Sequence, residues 1–456
     1  MACCPHYEER TLIEERQRRF FLRRAGRKAM NRLRREFEVF LLCSHSMRVL
    51  IVSNMIYALV LPVIDVFVAA YVMRNSHAVA RVVTYQLVVY AATPVAFFLN
   101  GILLGRVAAK HLYAAGMLLS GMAMMLLMRS GVLTPIGIAT SGLAMGLATG
   151  LFWANRGFLA LATTNDDNRN YYYGVELFFT TLAAVVVPAL IGWVISGSTL
   201  YGWLGGTANR AYLIIAMAVL DLTVLSAVPL ERGSFRNPDR THFVFFRFHA
   251  LWKRMLELAM LKGLAQGYIL TAPAMLIMLL VGQEGTLGAT QAVGGVFSAC
   301  LMYAVGRITV PYHRRIVFAA GLVLFLLGAV SNTLLFNTVG VLIFIGCLAL
   351  AKPLLDLAYN PIEFQVVDVV SRLEGRNEYA YLFNHEIGLF TGRCLGCLLF
   401  LAIAHWWSGV AALKYALPAV ALLQLFSIRV ADQISRSLQM EDRTPLPRFS
   451  GPTAES

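Results

Sequence analysis

The stretch ERGSFRNPDRTHFVFFRFHALWKRML, residues 231–256, decides how this chain is organised. It is the only long hydrophilic interruption between residues 47 and 430, and six apolar segments lie on each side of it. A helix needs about 20 apolar residues to cross a bilayer. The pattern predicts an all-α polytopic membrane protein of two six-helix halves, with transmembrane helices at 47–73, 82–104, 112–129, 135–163, 173–196, 211–230, 258–281, 287–305, 316–334, 338–368, 380–403 and 409–429.

The composition excludes other classes of protein. Hydrophobic residues make up 58% of the 456 residues and charged residues only 14%, whereas a soluble domain carries roughly 25% charge. A disordered chain, a coiled coil and a disulfide scaffold are therefore excluded. The sequence has no phosphate-binding glycine loop and no His, Cys or carboxylate cluster with the spacing of a catalytic metal site. Neither an enzyme nor a cofactor is expected.

The basic residues predict the orientation in the membrane. Thirty of the 39 Lys and Arg fall on the side of the N-terminal segment, and five fall in the opposite loops. Because basic loops stay in the cytoplasm, both termini are predicted to be cytoplasmic, in a bacterial inner membrane. The predicted domains are a basic tail at 1–46, helix bundles at 47–230 and 258–430, a central cytoplasmic loop at 231–257 and a C-terminal tail at 431–456.

The N-terminal tail has two interpretations. Met30, Leu33, Phe37 and Phe40 recur at helical spacing among many arginines, and such a basic amphipathic helix can lie on anionic lipid headgroups. A partly disordered tail that only sets the topology fits the same residues. Because orientation explains the positive charge, nucleic acid is not expected as a partner.

The two halves repeat each other in sequence. Gly105-Arg106 after the second segment recurs as Gly306-Arg307 after the eighth, and Arg169-Asn170 after the fourth recurs as Arg376-Asn377 after the tenth. Matches at equivalent places indicate an internal repeat. Repeats of this kind place a substrate site near the midplane, between halves that rock against each other.

This layout resembles the major facilitator superfamily over residues 47–430. The superfamily's loop after the second helix reads Gly-x-Leu-x-Asp-Arg-x-Gly-Arg-Lys, and here residues 101–110 read GILLGRVAAK. Arg106 matches and is a candidate gating residue, whereas Gly105 replaces the Asp that helps to lock the cytoplasmic side in the superfamily. The chain looks like an uncharacterised bacterial branch. The resemblance implies that helices 1, 4, 7 and 10 line a central cavity.

The tenth segment carries the clearest polar pattern. Lys352, Asp356, Asn360 and Glu363 follow one another at spacings of 4, 4 and 3, which places them on one helical face. Lys352 and Asp356 are spaced for an ion pair. Because ionisable groups in a bilayer are costly and mark function, this stripe is predicted to line the cavity. A structural network between helices is the alternative.

The first segment offers a candidate coupling group. Asn54, Tyr57 and Asp65 share a face, and Asp65 has no cation near it in sequence. Burial disfavours the charged form of a carboxyl group, which suits a residue that takes up and releases a proton. Contact with the solute or with a cation is the alternative role.

The fourth segment ends in a third candidate group. Thr149, Trp153 and Arg156 share a face, with Asn155 beside them. A hydroxyl, an aromatic ring and a forked cation suit an anionic or hydroxylated solute. Arg156 has a second interpretation, an ion pair with Glu176 that gates or stabilises the first half.

The second half supplies the remaining candidates. Glu363 corresponds to Arg156 in the repeat, so an ion pair between them would close the cytoplasmic side. Glu386 and Arg393 lie seven residues apart on one face, which predicts a gating pair. Gln266 in the seventh segment is predicted to line the cavity.

Two further ionisable residues receive structural interpretations. Lys262 lies one turn before Gln266, near enough to the cytoplasm to extend toward it. His385 could titrate near neutral pH, but a single His near a helix start is more often a satisfied structural residue.

These patterns predict a secondary active transporter that moves a small organic solute by alternating access, coupled to protons. It is expected to work as a monomer. An exporter of lipids, amphiphiles or drugs is the alternative within transport, because much of the cavity-side composition is apolar. A receptor or scaffold that kept the fold is the alternative from another class, although buried ionisable stripes argue against it.

The predicted orientation can be tested by cysteine labelling in a variant without native cysteines. Single cysteines placed between Gly197 and Arg210 should react with an impermeant reagent in intact cells, and those near Arg240 or Arg376 should react only after lysis. Labelling of the Arg240 loop from outside would overturn the orientation.

Overall fold

The computed structural model describes residues 38–129, 133–164, 168–235, 247–308, 314–376 and 378–441, and these residues are helical apart from short connections. The predicted all-α polytopic fold is confirmed, with eleven described segments long and apolar enough to cross a membrane. The amphipathic pattern from Met30 to Phe37 lies outside the described residues. The helices are α1 His45–Tyr57, α2 Val68–Ser76, α3 Val79–Leu103, α4 Ala109–Arg129, α5 Pro135–Thr163, α6 Arg169–Tyr201, α7 Ala208–Glu231, α8 Ala250–Ile269, α9 Ala272–Leu280, α10 Glu284–Ile308, α11 Arg314–Leu335, α12 Thr338–Glu374, α13 Glu378–Trp406, α14 Gly409–Gln424 and α15 Phe426–Glu441.

Polar side chains determine where several helices begin. Ser44, Thr134, Thr207, Asn337 and Ser408 each accept a hydrogen bond from the backbone N–H three residues further on. Such a cap satisfies a donor that the first helical turn leaves without a partner. The boundaries between apolar segments are therefore encoded locally in the sequence.

Helices α1–α7 form the first half and α8–α15 the second half. In the first half α5 packs against α3 and α4, and in the second half α13 packs against α8 and α12 against α11. The His45 Nε2 atom lies 3.0 Å from the Arg232 carbonyl oxygen, which joins the start of α1 to the end of α7. We call this surface the tail side, and the opposite surface, where α2 ends at Ser76, the far side.

The first and seventh apolar segments are both interrupted. A turn after Tyr57 and a π-helical turn at Val63–Phe67 separate α1 from α2, and a turn at residues 270–271 separates α8 from α9. The predicted spans at 47–73 and 258–281 are therefore each made of two shorter helices. Pro62 lies at the start of the π-helical turn and Pro273 in the first turn of α9, where the missing N–H favours a break.

Two predicted bounds also differ from the structure. Helix α8 begins at Ala250 rather than at 258, because Trp252 and Met255 are fully buried in the second half. Beyond residue 430, α15 continues as an amphipathic helix that buries Ile434 and Leu438. It packs against α8, α11 and α12 on the tail side, so this part of the predicted C-terminal tail belongs to the second half.

Glycines spaced four residues apart form a seam of close packing in the first half. A Cβ atom on Gly142, Gly146 or Gly150 would lie within 3.1 Å of a backbone oxygen of α3. The missing side chains let α5 and α3 approach closely.

Glycine also brings the two halves together on the far side. A Cβ atom on Gly288 of α10 would lie 2.2 Å from the Pro188 oxygen of α6, and one on Gly192 would lie 2.7 Å from the Glu284 oxygen. Toward the tail side, Phe297 and Tyr303 of α10 are 60% and 65% exposed. This contact between α6 and α10 therefore lies near the far side.

The close packing of α8 against α13 gives a stability prediction. A Cβ atom on Gly392 would lie 2.0 Å from the Met260 backbone oxygen, so Gly392→Ala forces two helices apart and should cost about 1–3 kcal/mol of unfolding free energy. The matched control is Gly346→Ala in α12, where nothing lies within 4 Å. Unfolding of the purified protein in detergent measures both, and equal stability of the two variants would contradict this packing.

Candidate functional site

A buried polar network occupies the tail-side part of the first half. Asn54 donates to Glu176 Oε1 and to the Tyr172 hydroxyl, both at 2.8 Å, and accepts from the Tyr113 hydroxyl at 2.6 Å. Arg156 donates to both oxygens of Glu176, at 2.9 and 2.7 Å. The ion pair predicted between Arg156 and Glu176 is therefore formed. It joins α5 to α6 in a two-pronged geometry that only a guanidinium supplies.

Two predicted cavity residues are structural instead. The Tyr57 hydroxyl donates to Ser120 at 3.0 Å and its ring is 3% exposed. Asn155 is fully buried and donates to Asn100 Oδ1 at 2.6 Å. Both residues connect neighbouring helices of the first half, because a polar group buried between helices stabilises the fold when it is hydrogen-bonded.

The other predicted residues of the fourth segment, Thr149 and Trp153, have different surroundings. Thr149 donates to the Met145 carbonyl oxygen of its own helix at 2.8 Å. Trp153 is 44% exposed, and the Arg156 guanidinium carbon lies 5.0 Å from the centre of its ring. Trp153 is thus the most accessible of these residues, and Thr149 and Arg156 are partly exposed.

The stripe on α12 faces accessible space. Lys352 and Asn360 are exposed, and Asp356 and Glu363 are partly exposed, whereas Ala358 on another face of the helix is fully buried. An ionic stripe in an apolar helix must face protein or water rather than lipid. The accessibility agrees with the predicted cavity-lining position of these four residues.

Asp356 pairs with a different lysine from the one predicted. Lys262 Nζ of α8 lies 3.3 Å from Asp356 Oδ1 and 3.8 Å from the centre of the Tyr359 ring. Lys352 forms no ion pair with any residue in the described ranges. The predicted pair between Lys352 and Asp356 was wrong, as was the extension of Lys262 toward the cytoplasm, because Lys262 points into the second half.

A hydrogen-bonded chain of three side chains joins α12 to α13. The Tyr359 hydroxyl lies 2.6 Å from His385 Nε2, and His385 Nδ1 lies 3.1 Å from Glu363 Oε1. Tyr359 and His385 are 1% and 4% exposed, and the Glu363 side chain is 12% exposed. His385 can donate to Glu363 from one ring nitrogen while the other accepts from the tyrosine, so this chain is suited to holding a proton at the edge of the cavity.

Arg393 of α13 connects the halves. It donates to Gln266 Oε1 at 3.1 and 2.9 Å and lies 3.7 Å from Glu386 Oε2, so the predicted pair with Glu386 is formed. Its guanidinium carbon is 5.3 Å from the centre of the Tyr90 ring in α3, and the Tyr90 hydroxyl donates to the Gln266 backbone oxygen at 2.9 Å. Gln266 is thus bound at this contact between the two halves.

The ion pair predicted between Arg156 and Glu363 is not formed. Arg156 is bound to Glu176 and Glu363 to His385, each within its own half. Among the described helices, α5 and α12 form no interface comparable with that between α3 and α13. Both charges are thus paired within their own halves, and no ion pair joins Arg156 to Glu363 in this structure.

Asp65 lies on the π-helical turn at Val63–Phe67. It is exposed although Val63 and Phe67 beside it are buried. Its charge interacts with that of Lys352 in the second half, and no hydrogen bond or ion pair joins Asp65 to any described residue. Lys352, which is far from Asp65 in sequence, is therefore the cation whose charge acts on it.

The far side carries an ion pair that the sequence analysis did not identify. Arg74 Nη1 at the end of α2 lies 2.6 Å from Glu284 Oε1 at the start of α10, and Glu284 is 4% exposed. Asn209 of α7 donates to Asn75 at 2.7 Å, and α2 packs against α9. A pocket of about 570 Å³ lined by Met73 and other residues of α2 and α9 lies on this side, away from the stripe.

The loop that resembles the superfamily motif is anchored without an Asp. Arg106 is exposed and has no ion pair in the part of the chain that the structure describes, so its predicted gating role gains no partner. Lys110 Nζ lies 3.7 Å from Glu231 Oε2 and donates to the Glu231 carbonyl oxygen at 3.1 Å. The loop is therefore tied to the end of α7 within the first half.

Several site residues escaped the sequence analysis. Tyr90, Tyr113, Tyr172 and Tyr359 are all buried and all hydrogen-bonded to polar residues of the networks. A tyrosine in an apolar segment usually packs through its ring, so composition alone does not reveal these roles. The described residues include no group of three His, Cys, Asp or Glu side chains placed to hold a metal ion.

Known proteins share this fold at low sequence identity. No protein-family profile matches the chain. An uncharacterised Bacillus subtilis protein, YqgE, is 23% identical over 352 residues, which cover 76% of this chain and 80% of that protein.

Two solved structures are similar over most of their length. One is a bacterial homologue of the iron transporter ferroportin in an inward-facing state, with 17% identity, a TM-score of 0.59, and coverage of 89% of this chain and 99% of that one. The other is a POT family transporter in complex with a thioalcohol-conjugated peptide, with 11% identity, a TM-score of 0.63, and coverage of 85% and 96%. The chain therefore has the fold of major facilitator transporters.

The ion pair between Arg156 and Glu176 gives a prediction on stability. Arg156→Met leaves a nearly buried carboxylate without its cation and should cost unfolding free energy, toward the lower end of about 3–5 kcal/mol because the Arg156 side chain is 26% exposed. Adding Glu176→Leu should recover part of that loss. The control is Arg315→Met, whose partner is Asp432 and whose side chain is 67% exposed, with an expected cost of at most about 1 kcal/mol. Simple additivity of the Arg156 and Glu176 changes would contradict the coupling.

Proposed function

We propose that this chain is a secondary active transporter that moves a small organic solute across a bacterial inner membrane by alternating access. The observation that carries the proposal is the stripe of α12, whose charged and polar groups face accessible space between the two halves. Charged groups in that position need water or a solute. A scaffold would gain nothing from keeping them accessible.

The contacts between the halves support a rocking movement. On the far side the halves meet through Arg74 and Glu284 and through the glycines of α6 and α10. The ion pair and the glycine contacts join two surfaces that can separate as rigid bodies. The interrupted helices α1–α2 and α8–α9 occupy equivalent places in the two halves, which is where transporters built from repeats bind their substrates.

The orientation and the oligomeric state are part of the same proposal. The excess of basic residues on the tail side supports cytoplasmic termini, and the opening would then face the cytoplasm in this structure. A single chain contains both halves of the cavity, so the proposed transporter works as a monomer. Anionic lipid is proposed as a contact of the basic N-terminal residues.

We assign proton coupling to the chain of Tyr359, His385 and Glu363. A proton shared between a carboxylate and an imidazole can leave without breaking the backbone contacts around it. The charged groups that face this chain are Lys262, Asp356, Glu386 and Arg393. Asp65, the coupling group favoured by the sequence, has instead an accessible carboxylate opposite a lysine, and we assign it to solute contact.

The function is tested by reconstitution in proteoliposomes. Uptake or efflux of a metabolite mixture, analysed by mass spectrometry with and without a pH gradient, should reveal a solute whose accumulation depends on the gradient. Empty liposomes are the control. Absence of any protein-dependent solute movement in either direction would refute transport.

The coupling assignment predicts different defects for two variants. Glu363→Gln removes the proton-binding oxygen but leaves the cavity, so it should abolish accumulation against a gradient and preserve counterflow at equal concentrations. Asp65→Asn should reduce both activities because it weakens solute binding. Substrate-evoked proton movement shows whether Glu363 carries the coupled proton. Wild-type proton movement in Glu363→Gln would exclude this residue as the carrier.

A further inference from the structure

Two opposite charges between the halves remain without a direct partner. Arg156, Lys262, Glu363 and Arg393 each lie within 3.7 Å of a partner in their own half. Over the described ranges, Asp65 and Lys352 take part in no ion pair and no hydrogen bond, and both are exposed. Their charges nevertheless act on each other. Asp65 and Lys352 are therefore two charged residues without a direct partner in the described ranges. We call them the two poles of the proposed cavity.

The two poles lie on opposite halves, each well inside its helix. At about 1.5 Å per residue, Asp65 lies about 17 Å from the far end of α2 at Ser76, and Lys352 lies about 21 Å from the far end of α12 at Thr338. Asp65 also acts electrostatically on Tyr90 of α3, whose hydroxyl contacts the second half. Both side chains are exposed, Asp65 on the first apolar segment and Lys352 on the tenth, the two segments that the superfamily resemblance places around the central cavity.

Asp65 is held in place by an unusual backbone. It lies within the π-helical turn that divides the first apolar segment, and single π-helical turns inside helices are frequent at functional sites. The equivalent segment of the second half is broken at residues 270–271. A pair of interrupted helices at matching positions marks the binding site in repeat-built transporters.

We propose that Asp65 and Lys352 are the two poles of a binding site for a small zwitterion, with its ammonium group on Asp65 and its anionic oxygen group on Lys352. A solute of this kind replaces the water around both charges with two charge-assisted hydrogen bonds. A singly charged solute leaves one pole without a partner, and a neutral solute leaves both. This inference rests on the proposed transport function and names the substrate class of that same site.

The wild-type protein can be tested directly for this preference. The purified chain is titrated in detergent with the protein amino acids, glycylglycine and O-phosphoethanolamine, and binding is followed by thermal stabilisation. The strongest zwitterion is then compared with its amine-only and acid-only counterparts. Loss of either group should weaken binding by at least about 20-fold. Strongest binding by O-phosphoethanolamine would indicate a headgroup-like phosphate as the anionic part, and by an amino acid a carboxylate.

Variants separate the two poles. Asp65→Asn should weaken the zwitterion but not the acid-only counterpart, and Lys352→Gln should weaken the zwitterion but not the amine-only counterpart. The matched controls are Asp368→Asn and Lys253→Gln, both exposed and outside the cavity, which should keep wild-type selectivity. The double reversal Asp65→Lys with Lys352→Asp should bind the zwitterion again, because the solute can turn around.

The outcomes distinguish this inference from the transport function. A zwitterion that binds through both poles but never crosses proteoliposome membranes would refute transport and keep the site. A transported solute with one charge or none, unaffected by the two variants, would refute the site and keep transport. Equal weakening of the zwitterion, the amine and the acid by each variant would make both residues structural and overturn the inference.

Discussion

The need to pair or hydrate every charge in an apolar interior determines how the central helices are arranged. A charge at the centre of a bilayer costs at least about 2.5–3.5 kcal/mol on insertion scales, and breaking a buried pair costs more than forming it gains. Arg156 therefore binds Glu176 with two hydrogen bonds, and Lys262 lies between Asp356 and an aromatic ring. Each of these contacts joins helices of one half, so these charges are satisfied without the other half.

Close backbone packing also holds the helices of each half together. Helices α3 and α5, and α8 and α13, approach so closely at glycines that no Cβ would fit at Gly146 or Gly392 without displacing backbone. Interiors this dense move as blocks rather than deform. Between the halves the contacts are of another kind, with one ion pair at Arg74 and glycine contacts near the far side. Any relative movement is therefore expected between the two halves rather than within either one.

The fold was largely predictable from sequence, and the site only in outline. Apolar runs and caps such as Asn337 are local signals, so the order of helices could be read directly. The stripe from Lys352 to Glu363 follows from helical periodicity, which also predicted that Arg393 and Glu386 would be neighbours. Partners far apart in sequence could not be found in this way. Lys262 is closer in space to Asp356 than Lys352 is, because rotation of α8 against α12 decides the pairing, and no local pattern encodes that rotation.

The two halves satisfy the same structural need with different chemistry. In the first half the helix pair α5–α6 is joined by Arg156 and Glu176, and a guanidinium keeps its charge at any pH that a cell tolerates. In the second half the equivalent pair α12–α13 is joined by Glu363 and His385, a carboxyl group and an imidazole, either of which can carry a proton. The proposed proton coupling therefore belongs to the second half, because the corresponding pair of the first half contains an arginine. If both halves held an arginine pair, the fold would be preserved but no proton could be exchanged at this contact.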